Sequence, residues 1–165
     1  MAKGLIRQTI QETRTEASRR LAAYKRIGHP FLHQLTTPIT FSKRAQPIRI
    51  AKTTISDNRG VGIVGYGQTE SGSGSKRLMH AQTQTVPITR CARFGRVDED
   101  RQICIGAGPI AGEGDSGGPA VAWKNGNLYQ YGIVSYGDTT NDIFTRTSYY
   151  CDAIKTTTSG VVTCV

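Results

Sequence analysis

Between Ala2 and Gly28 the apolar positions Ile6, Ile10, Ala17, Leu21 and Tyr24 recur at spacings of three, four and seven, with arginine and lysine between them. That period predicts a basic amphipathic helix, or a solvated and disordered arm, over residues 1–32. After His29-Pro30 the pattern breaks. Thr37-Pro38-Ile39-Thr40-Phe41 and Gln46-Pro47-Ile48-Arg49-Ile50 are short extended pieces punctuated by proline, which blocks helix, so residues 33–60 read as a connector.

From Val61 onward short β-like runs follow one another: Val61 to Tyr66, Thr83 to Ile88, Pro119 to Trp123, Leu128 to Tyr136 and Ile143 to Tyr149. Clusters of Gly, Asn, Asp and Ser bound each run, as expected for strands joined by tight turns. Lys124-Asn125-Gly126-Asn127 carries the Asn-Gly pair that accepts positive φ, and predicts a hairpin between the third and fourth runs. Glu70-Ser71-Gly72-Ser73-Gly74-Ser75 holds no apolar residue and predicts an exposed, protease-sensitive loop. Residues 61–165 therefore predict an all-β barrel or sandwich.

Composition narrows the picture. A chain of 165 residues with 37% hydrophobic positions suits one core, and 19 glycines and 7 tyrosines against 2 methionines argue against a helical bundle. No apolar run approaches about 18 residues, so no membrane span is expected, and the start of the chain has no apolar stretch of the secretory-signal kind. The net charge of +9 lies entirely in residues 1–60. Such asymmetry suits a polyanion-binding arm, but zinc-finger spacing and interleaved aromatic and basic positions are absent, so nucleic acid is not an expected partner. Cys91, Cys104, Cys151 and Cys164 form an even set without the CxxC spacing of a metal or redox site; two disulfides in an oxidising compartment, and no metal or other cofactor, are expected.

The most informative hexapeptide is Gly114-Asp115-Ser116-Gly117-Gly118-Pro119. Glycines on both sides let the backbone turn sharply, so that the N–H groups of Gly114 and Ser116 can converge on a developing oxyanion. Asp115 is expected to be buried and to need a cationic partner.

This hexapeptide follows Gln102-Ile103-Cys104-Ile105-Gly106 and precedes Tyr131 to Gly137 and Ile143-Phe144-Thr145-Arg146; upstream stands Val64-Gly65-Tyr66-Gly67-Gln68-Thr69. In this order the segments resemble the C-terminal half of the trypsin-like (chymotrypsin-fold) serine endopeptidases. The resemblance implies an antiparallel six-stranded Greek-key barrel over residues 61–165, the second barrel of that fold. It implies Ser116 as nucleophile, the amides of Gly114 and Ser116 as oxyanion hole, and Asp115 as the acid that pairs with a new N-terminus on activation. It further implies Ser135, Tyr136 and Gly137 as the segment that pairs with substrate backbone, and a Cys91–Cys104 disulfide. Two family disulfides are missing with both partners replaced, one at Gly112 and the shortened loop after Gly137, the other at Val61 and Ala122. Cys151 and Cys164 depart from the family and would close a loop over the C-terminal segment. The pocket-floor position is Ile110 in place of an acid, whereas Asp142 stands at a pocket-wall position usually held by glycine. Together they predict a weak preference for basic side chains. Protein or peptide substrates, a protease inhibitor as a further partner, and an extracellular location are implied in the same way.

The family's base and orienting acid have no counterpart. The Ala-Ala-His-Cys motif is absent, the histidines are His29, His33 and His80, and no acid occurs between Glu16 and Asp57. A serine hydroxyl needs such a base to become nucleophilic at neutral pH. Gly62-Ile63-Val64-Gly65 resembles the family's activated N-terminus, but no basic residue precedes Ile63, and the segment reads as a strand. The leading expectation is a serine endopeptidase present as an incomplete domain. The alternatives are a non-catalytic homologue that binds or regulates, and an adaptor that holds an anionic surface through its basic arm.

Overall fold

A computed structural model describes residues 24–26, 32–35, 37–43 and 45–165. These divide into two units: residues up to Pro47 with Asp152–Thr163, and Ile48–Cys151 with Cys164–Val165. In the first unit, strands β1 (Tyr24–Arg26) and β2 (His33–Leu35) pair antiparallel, Tyr24 opposite Leu35. Tyr24–Arg26 is thus extended within a stretch whose spacing predicts a helix; most of that stretch, with His29, lies outside the described residues. The boundary at Pro47 falls inside the expected connector.

The second unit is a closed barrel. Its strands are β3 (Arg49–Ile50), β4 (Gly60–Gly65), β5 (Met79–Val86), β6 (Gln102–Gly106), β7 (Pro119–Lys124), β8 (Asn127–Gly137) and β9 (Asn141–Arg146). The hydrogen-bonded order is β3-β8-β7-β4-β5-β6-β9, and β9 returns to pair with β8, which closes six strands and leaves β3 as an addition parallel to β8. Strands β4, β5 and β6 form a meander and β7 crosses back beside β4, the Greek-key connection. Closure leaves no open edge among the six.

Strand β6 is absent from the predicted runs; it is a short strand whose residues from Ile103 to Gly106 are all buried, as Val61 to Val64 of β4 are, so neither shows a period of two. The last run ends early: β9 stops at Arg146, Thr147–Tyr150 forms a turn of 3₁₀-helix, and helix α1 (Cys151–Thr157) follows. The Asn-Gly hairpin is present, with Asn125 at φ 50°, Gly126 at φ 74° and Lys124 opposite Asn127. Residues Glu70–Gly74 are exposed, yet they fold on themselves through Gly72 N–H to Thr69 O at 2.8 Å and Thr69 N–H to Ser73 O at 3.1 Å.

The barrel core joins Val61, Ile63, Ile103, Ile105, Ala120, Ala122, Tyr131, Val134 and Phe144. Val61 and Ala122, where a family disulfide is missing, are both buried here, so apolar contact stands in its place. A second cluster gathers Val86, Cys91, Cys104 and Ile143. Cys91 and Cys104 are bonded, as are Cys151 and Cys164, which leaves no free cysteine. Two buried threonines are satisfied internally: Thr83 Oγ1 donates to Gly106 O at 3.0 Å and Thr85 Oγ1 to Ser56 O at 2.7 Å.

Candidate active site

The loop from Gly106 to Pro119 connects β6 to β7, and the backbone fixes it at several points. Asp115 N–H donates to Gly112 O at 3.0 Å, and Gly118 N–H to Asp115 O at 2.8 Å. Gly117 N–H donates to Val134 O at 3.0 Å and Val134 N–H to Gly118 O at 2.9 Å, which ties the loop to β8. Gly114 at φ 93° and Gly117 at φ 82° lie where a side chain would be strained, so the turns on either side of Asp115-Ser116 require glycine.

Asp115 is half-buried, and among the described residues backbone amides stand in place of the expected cation: Gly67 N–H donates to Oδ1 at 2.6 Å and Gly112 N–H to Oδ2 at 2.9 Å. A Cβ at Gly65 or Gly67 would overlap this carboxylate, which explains why those two positions carry no side chain. With the acid turned inward, Ser116 stands exposed on the outer side of the loop. Neither its N–H nor that of Gly114 donates to any group among the described residues. Two uncommitted amide donors thus flank an accessible hydroxyl.

Asp142 on β9 is 3% exposed, facing Ile105 of β6 on one side and Gly137 of β8 on the other. Ala111 N–H donates to its Oδ2 at 2.6 Å, and the absence of a side chain at Gly137 makes room for Oδ1. Burial pushes its carboxyl up to about 6, the Ala111 N–H opposing that shift and the charges of Asp138 and Asp115 adding to it. A cleft of about 930 Å³ is lined by residues that include Val64, Gly67, His80, Ile110, Gly112, Asp115, Val134 and Thr139. Ile110 is on that wall; Asp142 sits behind it, linked through Ala111.

Strand β8 slips register between Val134 and Tyr136, so Ser135 is the extra residue of a bulge. The ladder to β7 ends at Pro119 opposite Ile133, and Tyr136 and Gly137 continue only against β9. Ser135, Tyr136 and Gly137 are exposed. The fold thus brings the Gly114–Pro119 loop, Ile110, Asp142 and the end of β8 into one region of the barrel. His80, expected to precede its strand, lies on β5 opposite Val64 and lines the cleft with Asp115. His33 belongs to the other unit.

Comparison with known proteins agrees with this arrangement. The sequence model of the trypsin family matches residues 28–154. The chain belongs to the trypsin family. It is 35% identical over 132 residues to Trypsin iota of Drosophila melanogaster, covering 71% of this chain and 51% of that protein. To Trypsin-1 of Astacus astacus it is 31% identical over 137 residues, 75% of this chain and 57% of the relative. Human Cathepsin G is 28% identical over 166 residues, 88% of this chain and 64% of that protein. The chain spans about half to two thirds of the length of these relatives.

Sequence reasoning missed the purpose of Gly65 and Gly67, although both stand in a quoted segment: their need appears only when Asp115 arrives from 48 residues away. It also missed a two-pronged pair between Arg93 and Asp138, 45 residues apart, for which local sequence holds no signal.

Proposed function

We propose that this chain carries the nucleophile of a secreted serine-type endopeptidase. Ser116 attacks the carbonyl carbon of a peptide bond, and the N–H groups of Gly114 and Ser116 receive the charge that develops on the carbonyl oxygen. Asp115 is the acid that a new N-terminus pairs with on activation; here the amides of Gly67 and Gly112 hold its carboxylate. The supporting observation is the exposed serine flanked by two uncommitted amides on a loop fixed from within. In this reading the base and orienting acid come from polypeptide other than these 165 residues, because the family's Ala-Ala-His-Cys motif is absent and no acid occurs between Glu16 and Asp57.

Substrate backbone pairs with Ser135, Tyr136 and Gly137. Ile110 forms the pocket floor, and the charge of Asp142 acts through the wall at Ala111, so basic side chains are weakly favoured. A protein inhibitor would use the same strand edge. A second reading, a non-catalytic homologue that binds peptides, is favoured by the position of His80, which lies in the cleft and makes no hydrogen bond to Ser116.

Chemical rescue separates the two. Hydrolysis of a peptide p-nitrophenyl ester by the full chain is followed with imidazole added as an external base. The endopeptidase reading expects an imidazole-dependent rate that disappears in Ser116→Ala and rises above the roughly 10³–10⁴-fold acceleration available from oxyanion hole and binding alone. Equal rates in both proteins would establish the binding reading instead.

A further inference from the structure

The turn between β8 and β9, Asp138 to Thr140, joins the two parts of the proposed pocket, Ser135–Gly137 before it and Asp142 after it. Thr139 lines the cleft itself. Neither disulfide reaches this turn, since the four cysteines are paired as Cys91–Cys104 and Cys151–Cys164. Gly112, on the facing loop, has no room for a side chain, because a Cβ there would overlap the carbonyl of Gln68. What holds the turn is Arg93, from the 3₁₀-helix Ile88–Phe94.

Its guanidinium is committed on every side. Nε donates to Asp138 Oδ2 at 2.8 Å, Nη2 to Asp138 Oδ1 at 2.8 Å and also to Thr140 Oγ1, and Nη1 to Arg90 O at 3.0 Å. Its carbon lies 4.8 Å from the centroid of the Phe94 ring, which meets Tyr136 edge-on at 5.9 Å between centroids. Asp138 Oδ1 in turn accepts the N–H of Thr140 at 2.7 Å and of Asn141 at 3.1 Å. The helix is itself bound to β6 through Cys91–Cys104. One cation therefore connects a disulfide-anchored helix to the turn and, through Phe94, to an aromatic side chain at the end of β8.

We propose that the Arg93–Asp138 pair is the tie that holds the rim of the substrate cleft, making Arg93 and Asp138 positioning residues for peptide bound along Ser135–Gly137. The proposal rests on the endopeptidase or peptide-binding reading of that strand. The planar, two-pronged geometry is what a guanidinium supplies and an ammonium does not. Because Asp138→Asn keeps the oxygen that caps Thr140 and Asn141 and removes the charge, the pair can be broken from either side with the turn's own hydrogen bonds retained.

The test uses two reversible boronate ligands on the full chain: a tetrapeptide boronate ending in an arginine side chain, which extends along Ser135–Gly137, and phenylboronate, which reaches Ser116 alone. Arg93→Ala and Asp138→Asn are each expected to weaken the tetrapeptide about three- to tenfold and to leave phenylboronate within about twofold. The double variant is expected to be no worse than either single one, the signature of a broken pair, and Arg93→Lys is expected to restore part of the affinity. Hydrogen exchange of the amides of residues 134–142 is measured alongside, and should accelerate in both single variants. Unchanged exchange together with unchanged tetrapeptide affinity would overturn the tie, as would additive losses in the double variant. If the wild-type chain binds neither boronate while exchange accelerates as expected, the tie stands as structure, its role in positioning peptide is overturned, and the proposed function fails.

Discussion

Asp115 shows how one side chain determines several others. Its carboxylate fills the space above Gly65 and Gly67 and takes its hydrogen bonds from Gly67 and Gly112, so three glycines serve one acid. Gly67→Ala would force that carboxylate out; we expect a loss of about 1–3 kcal/mol in stability together with a fall of tenfold or more in the imidazole-assisted reaction of Ser116 with a fluorophosphonate, read by mass spectrometry. Asp142 supplies a pH signature. Burial raises its carboxyl from 3.8 to about 6, so the folded chain keeps a proton that the unfolded chain has already released. Its contribution to stability is therefore full below about pH 4 and is lost as pH rises through 6, on the order of 3 kcal/mol in all. Asp138 shifts the opposite way, held below the usual carboxylate range by Arg93 and the turn amides, so its own titration falls at lower pH. Urea denaturation of Asp142→Asn between pH 4 and 7 should lack the wild-type decline; an unchanged decline would assign it to another group.

At the scale of elements, strands are legible where strong turn residues bound them, whether or not both faces are buried. Val61 to Val64 of β4 are all buried, yet β4, β7 and β8 are marked by the turn residues around them, the Asn125-Gly126 hairpin most plainly. The equally buried stretch Ile103 to Gly106 is short, and β6 enters the barrel unannounced by period. Buried threonines are a related case: Thr85 reads as an ordinary β-former, yet its hydroxyl donates to Ser56 O and accepts Arg59 N–H at 2.9 Å, which pins the approach to β4. Thr85→Val, nearly the same shape, should cost about 0.5–1.5 kcal/mol because it removes the partner of both Ser56 O and Arg59 N–H; a thermal melt matching wild type would show that water replaces the hydroxyl. Cys151–Cys164 belongs to the same scale. Beside Cys164, Val165 N–H donates to Ile50 O at 2.9 Å and Lys52 N–H to Val165 O at 3.0 Å, so the bonded segment extends the sheet beyond β3. A Cys151→Ser/Cys164→Ser protein should lose about 2–4 kcal/mol and exchange the Lys52 amide faster; retained protection there would show that backbone pairing alone holds Val165.

For the molecule as a whole, the motif order identified the barrel because Gly65, Ser116, Gly137 and Phe144 lie on different strands and loops that only this closure brings together. The candidate site was legible to the extent that it is written in contiguous residues: the Gly114–Pro119 loop, the end of β8 and Asp142 are each singled out in the sequence, and the fold brings them into one region. What sequence could not show is the coupling between distant segments, Gly67 to Asp115 and Arg93 to Asp138, since each pair meets only after the barrel has formed. The central claim concerns Ser116, and mass spectrometry of the full chain after treatment with a fluorophosphonate at pH 8, with imidazole supplied as the external base, tests it most directly. The account predicts a single adduct, mapped to Ser116 and absent in Ser116→Ala; no adduct, or label spread over exposed serines such as Ser71 and Ser73 at the same rate, would contradict it.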